Sequence, residues 1–124
     1  MTTWPCGKNS ASNMPSKTIL VQSDVLGRGN DELGELLMAN FLRLLGESKE
    51  KPAVLMFWNT GVRLVGEGSW ALGHLKTLEQ QGVEILACRT CLDFFDLTDK
   101  QKVGKPTNML QTIEFMLTSD MVCL

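Results

Sequence analysis

The sequence lacks most of the parts that enzymes use for acid–base chemistry. It has a single histidine, His74, and no conspicuous pair of carboxylates, so histidine-assisted nucleophilic hydrolysis is without its components. His74 shares a helix face with Leu75 and Leu78 and reads as a half-buried or surface residue. Only one Cys-x-x-Cys occurs among the four cysteines, which argues against a disulfide scaffold and against a structural zinc site built from paired ligand sets. No metal and no cofactor are expected. No apolar stretch approaches the roughly 20 residues of a membrane span. The start of the chain has neither the basic opening nor the apolar core of a signal peptide. Lys and Arg are scattered, with no basic run interleaved with aromatics. The expectation is a cytoplasmic protein with no membrane and no nucleic-acid partner.

What is present suits one domain with its own core: 124 residues, 44% hydrophobic, with a formal charge of -2. Residues 1–17 are rich in Ser, Asn, Thr and Pro and read as a flexible N-terminal tail, with Cys6 an unpaired thiol beside Trp4 and Pro5. Residues 18–124 read as a single domain. Thr18 to Gln22 is the first predicted strand, followed by the turn Leu26, Gly27, Arg28, Gly29, Asn30. The helix after it carries Leu33, Leu36, Leu37, Phe41, Leu44 and Leu45 on one face, with Asn30 as cap and Gly46 as stop. Pro52 opens a second strand, Ala53 to Trp58, apolar on both sides as in a parallel sheet between helix layers.

Asn59, Thr60 and Gly61 form the turn that follows, and Val62 to Val65 an irregular extension. Ser69 caps a helix to Gln81 with Leu72, Leu75 and Leu78 inward. A third strand, Val83 to Ala87, runs straight into Cys88, Arg89, Thr90 and Cys91. After a short helical turn from Leu92 to Asp96 comes a polar connection to Gly104. The last helix is capped by Thr107 or Asn108 and predicted to bury Met109, Leu110, Ile113, Met116 and Leu117. Met121 to Leu124 closes the chain as a strand in which Cys123 is structural. Alternating strands and helices predict an α/β domain with a mainly parallel sheet, whose chemistry collects beyond the carboxyl ends of the strands.

The chemistry-bearing stretch is Cys88 to Cys91. A thiol at a strand-to-helix junction faces unpaired backbone N–H groups and the positive end of the helix dipole, which favour the thiolate, and Arg89 adds a cation. Cys91, one helical turn on, is within reach for a disulfide or for passing a sulfur atom. Trp58, at the end of a strand, could wall a thiol pocket. The glycine loop does not have nucleotide-binding spacing: Gly27, Gly29 and Gly34 miss the dinucleotide pattern, no Gly-Lys-Ser/Thr occurs, and Asp31 and Glu32 would repel a phosphate. The thiols leave three alternatives: a sulfur relay, a dithiol-disulfide oxidoreductase, or a non-catalytic binding module with both cysteines packed.

Five segments together resemble a known family: Gly27 to Gly34 (GRGNDELG), Asn59 to Val62 (NTGV), Glu67 to Ser69 (EGS), Cys88 to Phe95 (CRTCLDFF) and Val103 to Met109 (VGKPTNM). They resemble the DsrE-like sulfur-relay proteins, and in particular the carboxyl-terminal domain of the selenium-metabolism protein YedF, over Thr18 to Leu124. The resemblance implies a three-layer α/β/α domain with a mainly parallel four- to five-stranded sheet. It also implies sulfur or selenium trafficking, a TusA-like carrier protein as donor or acceptor, and a homo-oligomer such as a trimer or hexamer. By its motif, Cys88 matches the persulfide-bearing cysteine and Cys91 the second thiol. Arg89 and Thr90, which stabilise the anion in this reading, stand where the YedF motif has Gly-Thr. Gly27, Arg28, Gly29, Asn30, Asn59 and Gly61 would shape the pocket mouth. The TusA-like domain that precedes this one in full family members has no counterpart in this sequence.

Overall fold

A computed structural model describes residues 17–124; the readings of residues 1–16, Cys6 included, lie outside the described residues. The elements alternate as β1 (Lys17–Val21), α1 (Asp31–Glu47), β2 (Val54–Phe57), a 3-10 helix (Asn59–Val65), α2 (Leu72–Gln80), β3 (Glu84–Cys88), α3 (Arg89–Phe94), β4 (Lys105–Thr107), α4 (Met109–Thr118) and β5 (Asp120–Cys123). The five strands form one sheet in the order β4-β3-β2-β1-β5, and every pairing is parallel. β1 thus starts one residue before the predicted strand, and the irregular extension is part of the 3-10 helix.

The direction of travel across this sheet decides which face each helix covers. From β1 to β4 the chain steps one way, and right-handed crossovers keep α1, α2 and α3 on one face. After β4 it returns past three strands to β5, so its crossover, α4, lies on the opposite face. The pleat sorts the strand residues accordingly. Ile19, Val21, Leu55, Phe57, Ile85 and Ala87 join Met38 and Leu42 of α1, Leu75 and Leu78 of α2 and Leu92 of α3 in the larger core. Leu20, Val54, Met56 and Leu86 form a smaller cluster under Phe115 of α4, flanked by Trp58 and Cys123.

The predicted inner faces of two helices are corrected by this arrangement. On α1, Gly34, Met38 and Leu42 are buried, whereas Leu33, Leu36, Leu37 and Leu44 are exposed. The helix is turned by its glycine. A Cβ at Gly34 would stand 2.8 Å from that of Val25, a contact that only glycine permits, and Leu26 N–H donates to Gly34 O at 3.0 Å. On α4 the one buried residue is Thr112, whose hydroxyl lies 3.1 Å from Asn108 O and 3.4 Å from Met56 Sδ. Met109, Leu110, Ile113, Met116 and Leu117 are exposed instead of buried. A helix that is alone on its face among the described residues can press only one narrow edge against the sheet.

The strand that sequence reading passed over is β4, inside the polar connection. Three residues with Pro106 in the middle are typical of an edge strand, where a missing N–H does no harm. Its entry depends on Gly104, which has φ +73° and approaches so closely that an added Cβ would lie 2.3 Å from Ile85 O. His74 is half-buried, and no helix among the described residues is long and apolar enough to cross a membrane.

Candidate functional site

In an all-parallel sheet every strand delivers its carboxyl end to the same edge. Here β1 delivers Gln22, β2 delivers Trp58 and Asn59, β3 delivers Cys88, and β4 hands over to Met109 at the start of α4. With Thr90 and Cys91 of α3 these residues line a single cavity of about 260 Å³. None of the described residues lining it is charged.

Cys88 is both the last residue of β3 and the N-cap of α3, in extended conformation at φ -64° and ψ 124°. It is 4% exposed and its side chain makes no capping hydrogen bond. Cys91 is half-buried one turn further on, and both thiols are free. The amide that reaches a sulfur comes from another element: Asn59 N–H donates to Cys91 Sγ at 3.1 Å. Sequence reasoning expected helix-start amides around Cys88, whereas the structure directs the amide of the β2 turn at Cys91.

That amide is held in place by the turn. Asn59 sits in the left-handed region at φ +52°, which Asn tolerates better than most residues, and its Oδ1 accepts from Thr60 N–H at 2.8 Å. Thr60 Oγ1 in turn accepts from Asp24 N–H at 3.3 Å. Trp58 N–H donates to Val21 O at 2.9 Å, and Gly61 N–H to Trp58 O at 2.8 Å. Gly61 is required by packing, because a Cβ there would come within 2.6 Å of Val21 O.

Burial pushes the Cys91 thiol up from its ordinary range. The Asn59 amide acts in the opposite sense, and the neighbouring Cys88, by hydrogen bonding and by charge, adds to the rise. Cys91 therefore holds its proton more tightly than an ordinary thiol. The Trp58 indole Nε1–H is buried with no hydrogen-bond partner among the described residues.

The sequence-predicted residues divide into two groups. Cys88, Cys91, Thr90 and Asn59 are brought together around the cavity, with Trp58 as a wall. Arg89 is exposed at the first position of α3 and does not line it. Gly27, Arg28, Gly29, Asn30 and Gly61 do not line it either. Gly27 and Gly29 supply φ values of +88° and +116° in the approach to α1, and Asn30 Oδ1 caps that helix through Leu33 N–H at 2.8 Å. Gln22 and Met109 were missed. The signal for Gln22 was its place just past the end of β1. Met109 was hidden because β4, which carries it to the same edge, was not predicted.

A second cavity, of about 330 Å³, lies between Asp24, Glu35, Glu67 and Trp70. Its guanidinium, Arg63, is engaged with Asp24 at 3.7 Å and stacked 4.6 Å over the Phe95 ring. It contains no thiol.

No family model matches the chain, and no curated protein matches its sequence. Solved structures do match. YchN from E. coli superposes with a TM-score of 0.66 at 16% identity, covering 90% of this chain and 100% of its own. The chain shares the fold of YchN. Two proteins of unknown function are similar to the same degree. One, from Bacteroides thetaiotaomicron, has a TM-score of 0.65 at 17% identity and covers 94% of this chain and 100% of its own. The other, from Methanobacterium thermoautotrophicum, has a TM-score of 0.62 at 17% identity and covers 88% and 99%. The YchN likeness fixes the architecture and leaves the chemistry to be argued from the cavity.

Proposed function

We propose that the protein is a sulfur or selenium relay in which the Cys88 thiolate accepts the chalcogen and Cys91 is the second thiol. The observation that carries this reading is the placement of two free thiols in one small uncharged cavity, with a backbone amide 3.1 Å from the second sulfur. The motif resemblance to the DsrE-like and YedF-type proteins supports the same roles.

In the transfer, the Cys88 thiolate attacks the outer sulfur of a donor persulfide. The donor S–S bond breaks, its electron pair leaves on the donor thiolate, and Cys88 carries the new S–S bond. A Cys91 thiol that keeps its proton can donate to the sulfur of Cys88 while the chalcogen is held. Onward transfer is the same displacement by the thiolate of an acceptor, with a TusA-like carrier the expected partner. Should Cys91 attack the inner sulfur instead, hydrosulfide leaves and a Cys88–Cys91 disulfide remains for a reductant, which is the dithiol reading; the adjacency of the two thiols favours it as the runner-up.

The exposed apolar faces of α1 and α4 support a homo-oligomer, because single chains rarely leave so many large side chains open to water. The deciding experiment is intact-mass analysis after incubation with glutathione persulfide, on the parent chain and on Cys88→Ser and Cys91→Ser. Sulfur should add to the parent and to Cys91→Ser but not to Cys88→Ser. Loss of two hydrogens without addition would select the dithiol reading, and no change in any protein removes both.

A further inference from the structure

The cavity holds a third sulfur that neither the relay nor a dithiol cycle uses. Met109 lines the same space of about 260 Å³ as Cys88 and Cys91, and Gln22, Trp58, Asn59 and Thr90 complete the described wall. Carboxylates and imidazoles are missing from that wall, and no group of three or more His, Cys, Asp or Glu able to hold a metal is gathered anywhere among the described residues. Hard divalent ions therefore find no ligands here. Two thiolates with a thioether are the ligand set of a soft ion, and among biological metals that combination selects Cu(I). Zinc was set aside for want of four ligands; Cu(I), a softer ion of single charge, is satisfied by two or three sulfur ligands.

We propose that Cys88, Cys91 and Met109 form a binding site for Cu(I). Two S–H bonds break and two S–Cu bonds form, both protons go to solvent, Met109 contributes a lone pair with no proton, and copper stays in the +1 state, so no oxidant or reductant is consumed. The surroundings suit such a complex in three respects. The Asn59 amide, 3.1 Å from Cys91 Sγ, offsets part of the negative charge that two thiolates bring to one ion. Cys88, at 4% exposure, keeps the inner side of the site away from water. Met109 is 51% exposed at the first position of α4, so core packing does not lock its flexible side chain, and in the proposed complex its soft sulfur turns toward the thiols it shares the cavity with. A site so loaded has no thiolate left for sulfane sulfur, so copper would also stop a relay. The binding itself does not depend on the relay and would stand if that reading failed.

The test is an anaerobic titration of the reduced full chain with the Cu(I)–bicinchoninate complex, following the loss of its colour. The parent chain should withdraw one equivalent. Losing an outer-sphere partner of a metal site already weakens binding by roughly 10–100-fold, so removal of a ligand should do at least that. Met109→Leu, a change at an exposed residue that leaves the fold intact by circular dichroism, should therefore weaken binding by about tenfold or more. Cys91→Ser should weaken binding by about 100-fold or more. The proposal is overturned if the parent chain leaves the colour unchanged, or if Met109→Leu competes as well as the parent.

Discussion

The two faces of the sheet are built from equally apolar strands and yet are finished to different degrees. On one face, α1, α2, α3 and the 3-10 helix close over Ile19, Leu55, Phe57 and Ile85, and the core they make is continuous. On the other, α4 covers Leu20, Val54, Met56 and Leu86 with little more than Thr112 and Phe115, and turns the rest of its apolar side chains outward. Strand order explains the imbalance, since three crossovers fall on one side and one on the other. The thiol cavity opens where these two coverings meet, with Cys91 against the larger core and Met109 at the head of the lone helix. A site on such a seam borrows rigidity from the finished face and access from the thin one.

The largest test of this contrast compares identical truncations on opposite faces. Leu55 and Leu20 occupy neighbouring strands and are 0% and 1% exposed. Leu55→Ala leaves a void that four surrounding elements cannot collapse, so it should lower unfolding free energy by about 5 kcal/mol, at the upper end of the range for such changes. Leu20→Ala lies under a single helix that can settle inward, and about 3 kcal/mol is expected. Urea unfolding of both variants checks it, and equal losses would mean that the thin face is as firmly closed as the other.

The same contrast marks what could be read from the sequence. Both faces of the strands were legible because a continuous apolar run such as Val54 to Phe57 belongs only to a strand covered on both sides. So were two of the caps, Asn30 and Asn108, whereas Ser69, expected to cap the helix to Gln81, stands before a turn and α2 begins after Ala71 with no side-chain cap bond. Helix rotation was not legible. Leucines on α1 and α4 outnumber the positions that the sheet can cover, and a pattern of apolar residues does not reveal that Gly34 and Thr112 decide which side turns in. β4 was lost because its three residues, with proline between Lys105 and Thr107, have no apolar signature and are held by their place beside β3. That Cys88, Cys91, Thr90 and Asn59 share one cavity was anticipated from a strand-to-helix motif and a turn. The Asn59 amide on Cys91 was not, because it bridges residues 32 apart in sequence.

A smaller effect separates the two capped helices. Asn108 Oδ1 and Asn30 Oδ1 each accept from the third residue beyond, at 2.8 Å in both cases. Either Asn→Ala change should destabilise the chain by about 1 kcal/mol. Only Asn108→Ala loosens the turn that carries Met109 into the cavity wall, so the alkylation of Cys88 by iodoacetamide should speed up in that variant and stay at the parent rate in Asn30→Ala. Equal rates in the two would detach the head of α4 from the site.

The smallest effect on the single chain should be the most telling about the thin face. Leu110 and Leu117 are 72% and 79% exposed on α4. Serine at both positions removes apolar area already in water, so within one chain each change should alter stability by no more than about 0.5 kcal/mol. In a homo-oligomer that buries the outer side of α4 between copies, the same two substitutions place hydroxyls in an apolar contact and should shift the sedimentation profile of the assembly toward single chains at micromolar concentration. Leu33→Ser with Leu36→Ser, on the outer side of α1, makes the matching change on the finished face. Dissociation by the α4 pair alone would assign the contact to the face that the fold leaves thin, whereas dissociation by the α1 pair alone would assign it to the face that is already closed and dissolve the contrast.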